Sequence, residues 1–136
     1  MFFVTVYKME EVVNHLLLRG QPTKKDCVMF DIDDTLINQK TGKVIPHVKK
    51  LLDSCRQLGY KIIIITARPD TFEVRQMTFF ELREHEIFYT ALYFRTPSQK
   101  SRLKRELKQK WGWNFVLSVG DQPTDLTDSE MYLRVV

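Results

Sequence analysis

Apolar positions recur along this chain in two rhythms. Short, mainly apolar runs fall at residues 27–30, 60–65 and 115–119, and the second holds four consecutive isoleucines. Runs of this length are too short for helices. Bounded by turn residues, they read as strands buried on both faces of a parallel sheet. Elsewhere apolar residues return every third or fourth position. Val12, Val13, Leu16 and Leu17 give residues 10–19 one helical face, stopped by Gly20 and Pro22. Val48, Leu51, Leu52 and Cys55 give another, begun by Pro46 and ended at Gly59. Two further helices are predicted at residues 69–84 and 99–110, the second capped by Ser98. Short strands are expected at residues 91–93 and 131–135, with an edge strand at 2–7. Trp111 and Trp113 are expected to cover the sheet beside the last strands. Strands alternating with helices imply a three-layer α/β domain, over residues 1–136, whose parallel sheet is covered on both faces.

The polar residues that end these strands carry the candidate chemistry. Asp31 and Asp33 close the first strand, and on an extended backbone that spacing points both side chains the same way. The carboxyl ends of strands in such sheets form the ligand crevice. The second long strand ends in Thr66 and the third leads to Asp121 and Asp125, while Lys100 opens the helix between them. Oxygen donors from Asp31 and Asp121 suit Mg²⁺, which favours one or two carboxylates plus water and phosphate oxygens. The Thr66 hydroxyl and Lys100 ammonium suit the oxygens of a phosphoryl group, and a carboxylate can serve as the phosphoryl acceptor. Each residue also has a plainer reading. Asp31, Asp33 and Asp34 could begin a turn, Thr66 could cap the helix near Pro69, and Asp125 could cap another. Lys100 belongs to a basic segment, residues 100–110, most of which forms a solvated face, with Lys104 as its substitute in the phosphate role. A turn alone does not explain why three strand ends carry matching chemistry.

Taken together, Phe30-Asp31-Ile32-Asp33-Asp34-Thr35-Leu36, Thr66 after the isoleucine strand, Lys100, and Gly120-Asp121 with Asp125 resemble the four motifs of the haloacid dehalogenase (HAD) superfamily, in order. The resemblance implies a Rossmann-like sheet with a small hairpin flap, which residues 37–45 fit. It implies Asp31 as nucleophile and Asp33 as general acid and base, which also offers its backbone carbonyl to Mg²⁺. It further implies Thr66 and Lys100 on the phosphate, Asp121 on the metal and Asp125 in or near the metal's surroundings. An acid at the second motif position resembles phosphatases; dehalogenases and P-type ATPases of the superfamily lack it. Lys100-Ser101 with Lys104-Arg105, followed by Gly120-Asp121-Gln122, is similar to acid phosphatases of the third subfamily. Thr66-Ala67-Arg68-Pro69 with Leu92-Tyr93-Phe94-Arg95 resembles the phosphatase domain of polynucleotide kinases, which usually has Gly where Ala67 stands.

Composition narrows this reading without redirecting it. A hydrophobic share of 43% and a charged share of 28% fit a globular protein, and the net charge of +4 permits an anionic substrate. Lys8, Glu10, Glu11 and Arg19 break up any signal-like core near the start, and no apolar run approaches membrane-spanning length. Cys27 and Cys55 read as reduced core residues, so a cytoplasmic or nuclear setting is expected. His15, His47 and His85 show no ligand pattern. The expected function is Mg²⁺-dependent phosphomonoester hydrolysis through an aspartyl-phosphate. A nucleotide or nucleic-acid-end phosphatase is the narrower alternative, and a silent module binding an anionic partner is the alternative from another class. Where superfamily members commonly insert a cap, residues 36–46 hold only a hairpin and residues 69–98 are filled by one helix and one strand that the core itself requires. The crevice is therefore expected to be open, with Arg68, Arg95, Lys40 and Lys43 as candidate contacts to a large or extended substrate.

Overall fold

A computed structural model describes residues 7–135. Five strands form one sheet: β1 (Asp26–Phe30), β2 (Lys61–Thr66), β3 (Ala91–Phe94), β4 (Asn114–Gly120) and β5 (Met131–Arg134). Every pairing is parallel and the order is β3-β2-β1-β4-β5. The two-residue period of a strand sorts its side chains between the two faces. Val28, Phe30, Ile62 and Ile64 pack with α1 (Met9–Arg19) and α2 (Pro46–Leu58), whereas Cys27, Met29, Ile63 and Ile65 pack with Leu103 and Leu107 of α4 (Lys100–Trp111). Leu82 of α3 (Phe72–Glu84) joins the first face. The isoleucine run is therefore apolar throughout because it feeds two cores, and the fold is the three-layer α/β arrangement.

Several boundaries moved. α3 starts at Phe72, not residue 69, because the Thr71 hydroxyl accepts a hydrogen bond from the Val74 amide and makes Thr71 the cap. α4 is preceded by a 3₁₀ turn, Pro97–Gln99, and the Thr96 amide donates to the Gln99 side chain, so Ser98 is not the cap. The flap holds one antiparallel bridge, Ile37 to Val44, around a turn in which Gly42 has φ +69°. That backbone conformation favours glycine. Trp113 packs on the α4 face, but Trp111 is half exposed beneath the Lys110 ammonium. The predicted edge strand lies outside the described residues except for Tyr7, whose amide donates to the Tyr132 carbonyl at 2.8 Å. Among the described residues no helix is long and apolar enough to cross a membrane.

Candidate active site

β1, β2 and β4 run parallel, with one register shift between β1 and β4 at Cys27–Val28, so their carboxyl ends share one edge. There the Asp31 amide donates to the Val119 carbonyl at 3.1 Å, fixing the residue after β1 to the neighbouring strand. The Ile32 carbonyl then accepts from the amides of Thr35, Leu36 and Ile37, which folds the chain sharply back. Asp34 takes the left-handed conformation in that turn, φ 58°, which Asp tolerates better than most residues. The Asp-rich segment is thus both a turn and a platform.

Lys100 brings two strand ends together. Its ammonium is buried and donates to Asp31 Oδ1 at 3.1 Å and Asp125 Oδ1 at 2.5 Å. Burial alone would lower the pKa of this lysine, but the facing carboxylates of Asp31 and Asp125 outweigh that and raise it. Burial pushes the Asp31 carboxyl up to about 7, against the pull of Lys100 and with the push of Asp125. Asp125 is fully buried and its Oδ2 also accepts from the Gln122 amide. Gly120 is required beneath it, since a Cβ there would lie inside the Asp125 carboxylate. Asp121 accepts from Thr35 Oγ1 at 3.4 Å and from Gln122 Nε2 at 3.2 Å.

Carboxylate oxygens of Asp31, Asp121 and Asp125 all lie within 4.8 Å of one another. An all-oxygen donor set of this kind fits a hard divalent cation such as Mg²⁺. The Asp33 carboxylate is not in this group, leaving its backbone carbonyl as the atom it could contribute. Its carboxylate turns to Arg68, which grips it through Nε at 3.0 Å and Nη2 at 2.8 Å. Arg68 also donates to Thr78 at 3.1 Å and Glu81 at 2.7 Å, so three side chains hold a guanidinium that the sequence offered to substrate.

Thr66 is buried at the end of β2, and its hydroxyl accepts the Arg68 amide at 3.2 Å. Arg95 donates to the Phe94 carbonyl and lies over the Tyr93 ring, and among the described residues no hydrogen bond or ion pair joins it to the acidic group. Lys104, the substitute for Lys100, points elsewhere. Its ammonium donates to Ser118 Oγ and to the carbonyls of Asp125 and Thr127. Burial brings Lys104 down to about 7. Both cysteine thiols are buried and pushed up to about 12 by that burial, so neither competes as a nucleophile. Sequence reasoning missed the partners of Arg68. Thr78 and Glu81 stand three apart on α3, a spacing that places them on one face, but nothing in the pattern marked that face as functional.

The family model for HAD superfamily, subfamily IIIB (acid phosphatase) matches residues 36–136. The chain belongs to this family. The match begins at Leu36, so Asp31 lies outside it, and the Lys100 ammonium joins Asp31 to the matched residues. A search of curated proteins finds no match. Among solved structures, a chain of the Pnkp1/Rnl/Hen1 complex is similar with a TM-score of 0.59 at 21% identity, over 74% of this chain and 40% of that one. A chain of the Pnkp1/Rnl/Hen1 RNA repair complex gives 0.58 at 22%, over 77% and 39%. At such identity the likeness is one of fold, and this HAD chain spans about two fifths of those chains.

Proposed function

We propose that this HAD domain is a Mg²⁺-dependent phosphomonoester hydrolase that forms an aspartyl-phosphate on Asp31. The observation that carries the reading is the Lys100 ammonium held between Asp31 and Asp125, with Asp121 alongside. Asp31, Asp121 and Asp125 would hold the cation, whose charge would offset that gathering on the phosphoryl oxygens. An Asp31 carboxylate oxygen forms the new bond to phosphorus as the ester oxygen leaves. Lys100 and the Thr66 hydroxyl hold the transferring oxygens and neutralise their charge. Asp33, an ion-paired carboxylate in the structure, would leave Arg68 and take up a proton from solvent, then give that proton to the leaving oxygen. It then takes a proton from the water that attacks the phosphorus of the intermediate, returning Asp31 and freeing phosphate.

An extended substrate, with a phosphorylated oligonucleotide end as the first choice, fits best. The stretch from Leu36 to Pro46 holds only the flap, and that from Pro69 to Ser98 is filled mainly by α3 and β3, which the sheet itself needs. Among the described residues no cap covers the strand ends, and one fold neighbour is a chain of an RNA repair complex. Two free buried cysteines suit a reducing compartment such as cytoplasm or nucleus.

Asp31→Asn tests the mechanism because it keeps the shape and removes the nucleophile. Turnover of phosphorylated nucleotides, sugars, peptides and oligonucleotides should fall to background with an unchanged circular dichroism spectrum. Chelation should abolish wild-type turnover and added Mg²⁺ should restore it. Substantial turnover by a folded Asp31→Asn would eliminate the covalent route. A folded wild type that hydrolyses nothing and binds phosphorylated ligands would favour the silent module.

A further inference from the structure

The outward faces of the helices are not alike. The exposed positions of α2 and α4 are polar apart from the terminal residues Pro46 and Trp111. α3 instead turns Phe72, Met77, Phe79 and Phe80 to solvent, at 71%, 58%, 41% and 64% exposure. The core takes only Thr78 and Leu82 from this helix, so the fold itself does not account for the other apolar side chains. Phe72, Gln76, Phe79, Phe80 and Arg83 fall at i, i+4, i+7, i+8 and i+11, which sets them in one stripe along α3. Met77 stands at the margin of that stripe, toward the flap.

The area suits a partner protein. A fully buried phenylalanine contributes about 150–250 Å², so the three rings and Met77 offer roughly 400 Å² of apolar surface. That is about half of the ~800 Å² that each side of a standard interface supplies. Contiguous apolar patches of this extent often serve as contact surfaces. The charges beside the stripe choose the partner. Arg75 is taken by Asp70 and Glu81 by Arg68, whereas Glu73 in the first turn and Arg83 in the last form no ion pair among the described residues. A second α3 laid antiparallel sets Glu73 of each helix beside Arg83 of the other and lines the helix dipoles up favourably. A parallel copy would set like charges together. Glu73 and Glu84 on the outer surface disfavour an anionic lipid surface or a nucleic acid, which call for lysine and arginine instead.

We propose that the outer face of α3 is the interface of a two-fold dimer of this chain, with the two helices antiparallel and Phe79 and Phe80 of both near its centre. Such an interface is self-complementary, so one helix supplies both halves of every contact. The proposal is independent of the phosphatase reading, since it uses none of Asp31, Asp121, Asp125 and Lys100.

Sedimentation equilibrium of the wild-type chain across the micromolar range should show the mass of one chain rising to that of two and stopping there. Phe72→Lys and Phe80→Lys change exposed side chains, so circular dichroism should remain that of the wild type. Each should weaken dimerisation by about thirtyfold. Glu73→Arg or Arg83→Glu alone should weaken it by about fivefold, because the ion pair occurs twice in the dimer, and the two reversals together should restore it. A wild type that stays monomeric at every concentration would overturn the proposal. A folded Phe80→Lys that dimerises like the wild type would do the same, since another surface would then be in use. If Phe80→Lys does not fold, Phe72→Lys and the charge reversals decide. A mass that keeps growing past two chains would mean head-to-tail contacts, and a monomer that sediments with phosphatidylcholine vesicles would mean that the stripe meets lipid. Either result sinks the dimer. A double reversal as weak as the single variants would refute the antiparallel arrangement.

Discussion

Lys100 and Lys104 lie one helical turn apart on α4, both buried, and the fold gives them opposite work. The first faces two carboxylates; the second holds down the loop after β4 through the carbonyls of Asp125 and Thr127. A spacing of four puts both on one helical face. The sequence could therefore offer the pair but not choose between its members. The choice depends on how residues 121–130 wrap across α4, which is a tertiary fact. Asp31 was easier to read, since its partners at other strand ends announce a shared edge. Arg68 was harder, because a lone arginine gives no sign that three side chains await it. The division of labour is testable. Lys104→Met keeps the stem, orphans two carbonyls and should cost about 2 kcal/mol of stability while turnover persists. Lys100→Met should abolish turnover. Thermal unfolding and a phosphatase assay on both variants decide, and an inactive Lys104→Met that melts like the wild type would reverse the roles.

Among the elements, the strands were the most legible and α3 the least. β1 and β2 alternate their side chains between two cores, so their unbroken apolar runs follow directly from burial on both sides. α3 buries only Thr78 and Leu82 and leaves Phe72, Met77, Phe79 and Phe80 exposed, so its apolar spacing says little about which face is inward. The start of β1 shows how elements are tied at the end of the sheet remote from the site. Asp26 accepts from the Thr23 amide, both terminal nitrogens of Arg19 and the Asn114 side chain, joining α1, β1 and β4. Burial alone would raise this carboxyl, but those donors bring it down to about 2 from an ordinary 3.8. Its contribution is therefore complete above about pH 4 and disappears as pH falls toward about 2. Asp26→Asn should lower the urea midpoint clearly at neutral pH and scarcely at all near the acid limit. A deficit of equal size at every pH would show that charge plays no part.

For the molecule as a whole, the open edge and the distribution of charge make a joint claim. The flap carries Lys40 and Lys43, and α4 carries Arg102, Arg105, Lys108 and Lys110, all exposed. With Arg68 held internally and Arg102 and Arg105 paired with Glu106 and Asp128, Lys40 and Lys43 on the flap and Arg95 after β3 are the candidate basic contacts for a long anionic substrate. A 3′-phosphorylated oligonucleotide should therefore exceed a sugar phosphate in kcat/KM at low ionic strength, with the advantage shrinking as salt rises. A preference for the sugar phosphate at every salt concentration would remove the extended-substrate reading. The strand order has a kinetic consequence too. β1 meets β2 through a modest stretch of chain, whereas Thr35 and Asp121 are 86 residues apart. Closing so long a loop costs entropy before any contact repays it. The β1–β2–β3 half can assemble from nearby segments, while Asp31, Asp121 and Asp125 meet only once β4 has docked. A cation shared by those carboxylates would thus fasten the late half to the early one. Amide hydrogen exchange should then slow more in β4 and β5 than in β2 and β3 when Mg²⁺ is added. Uniform slowing across the sheet would mean that the ion joins no such halves.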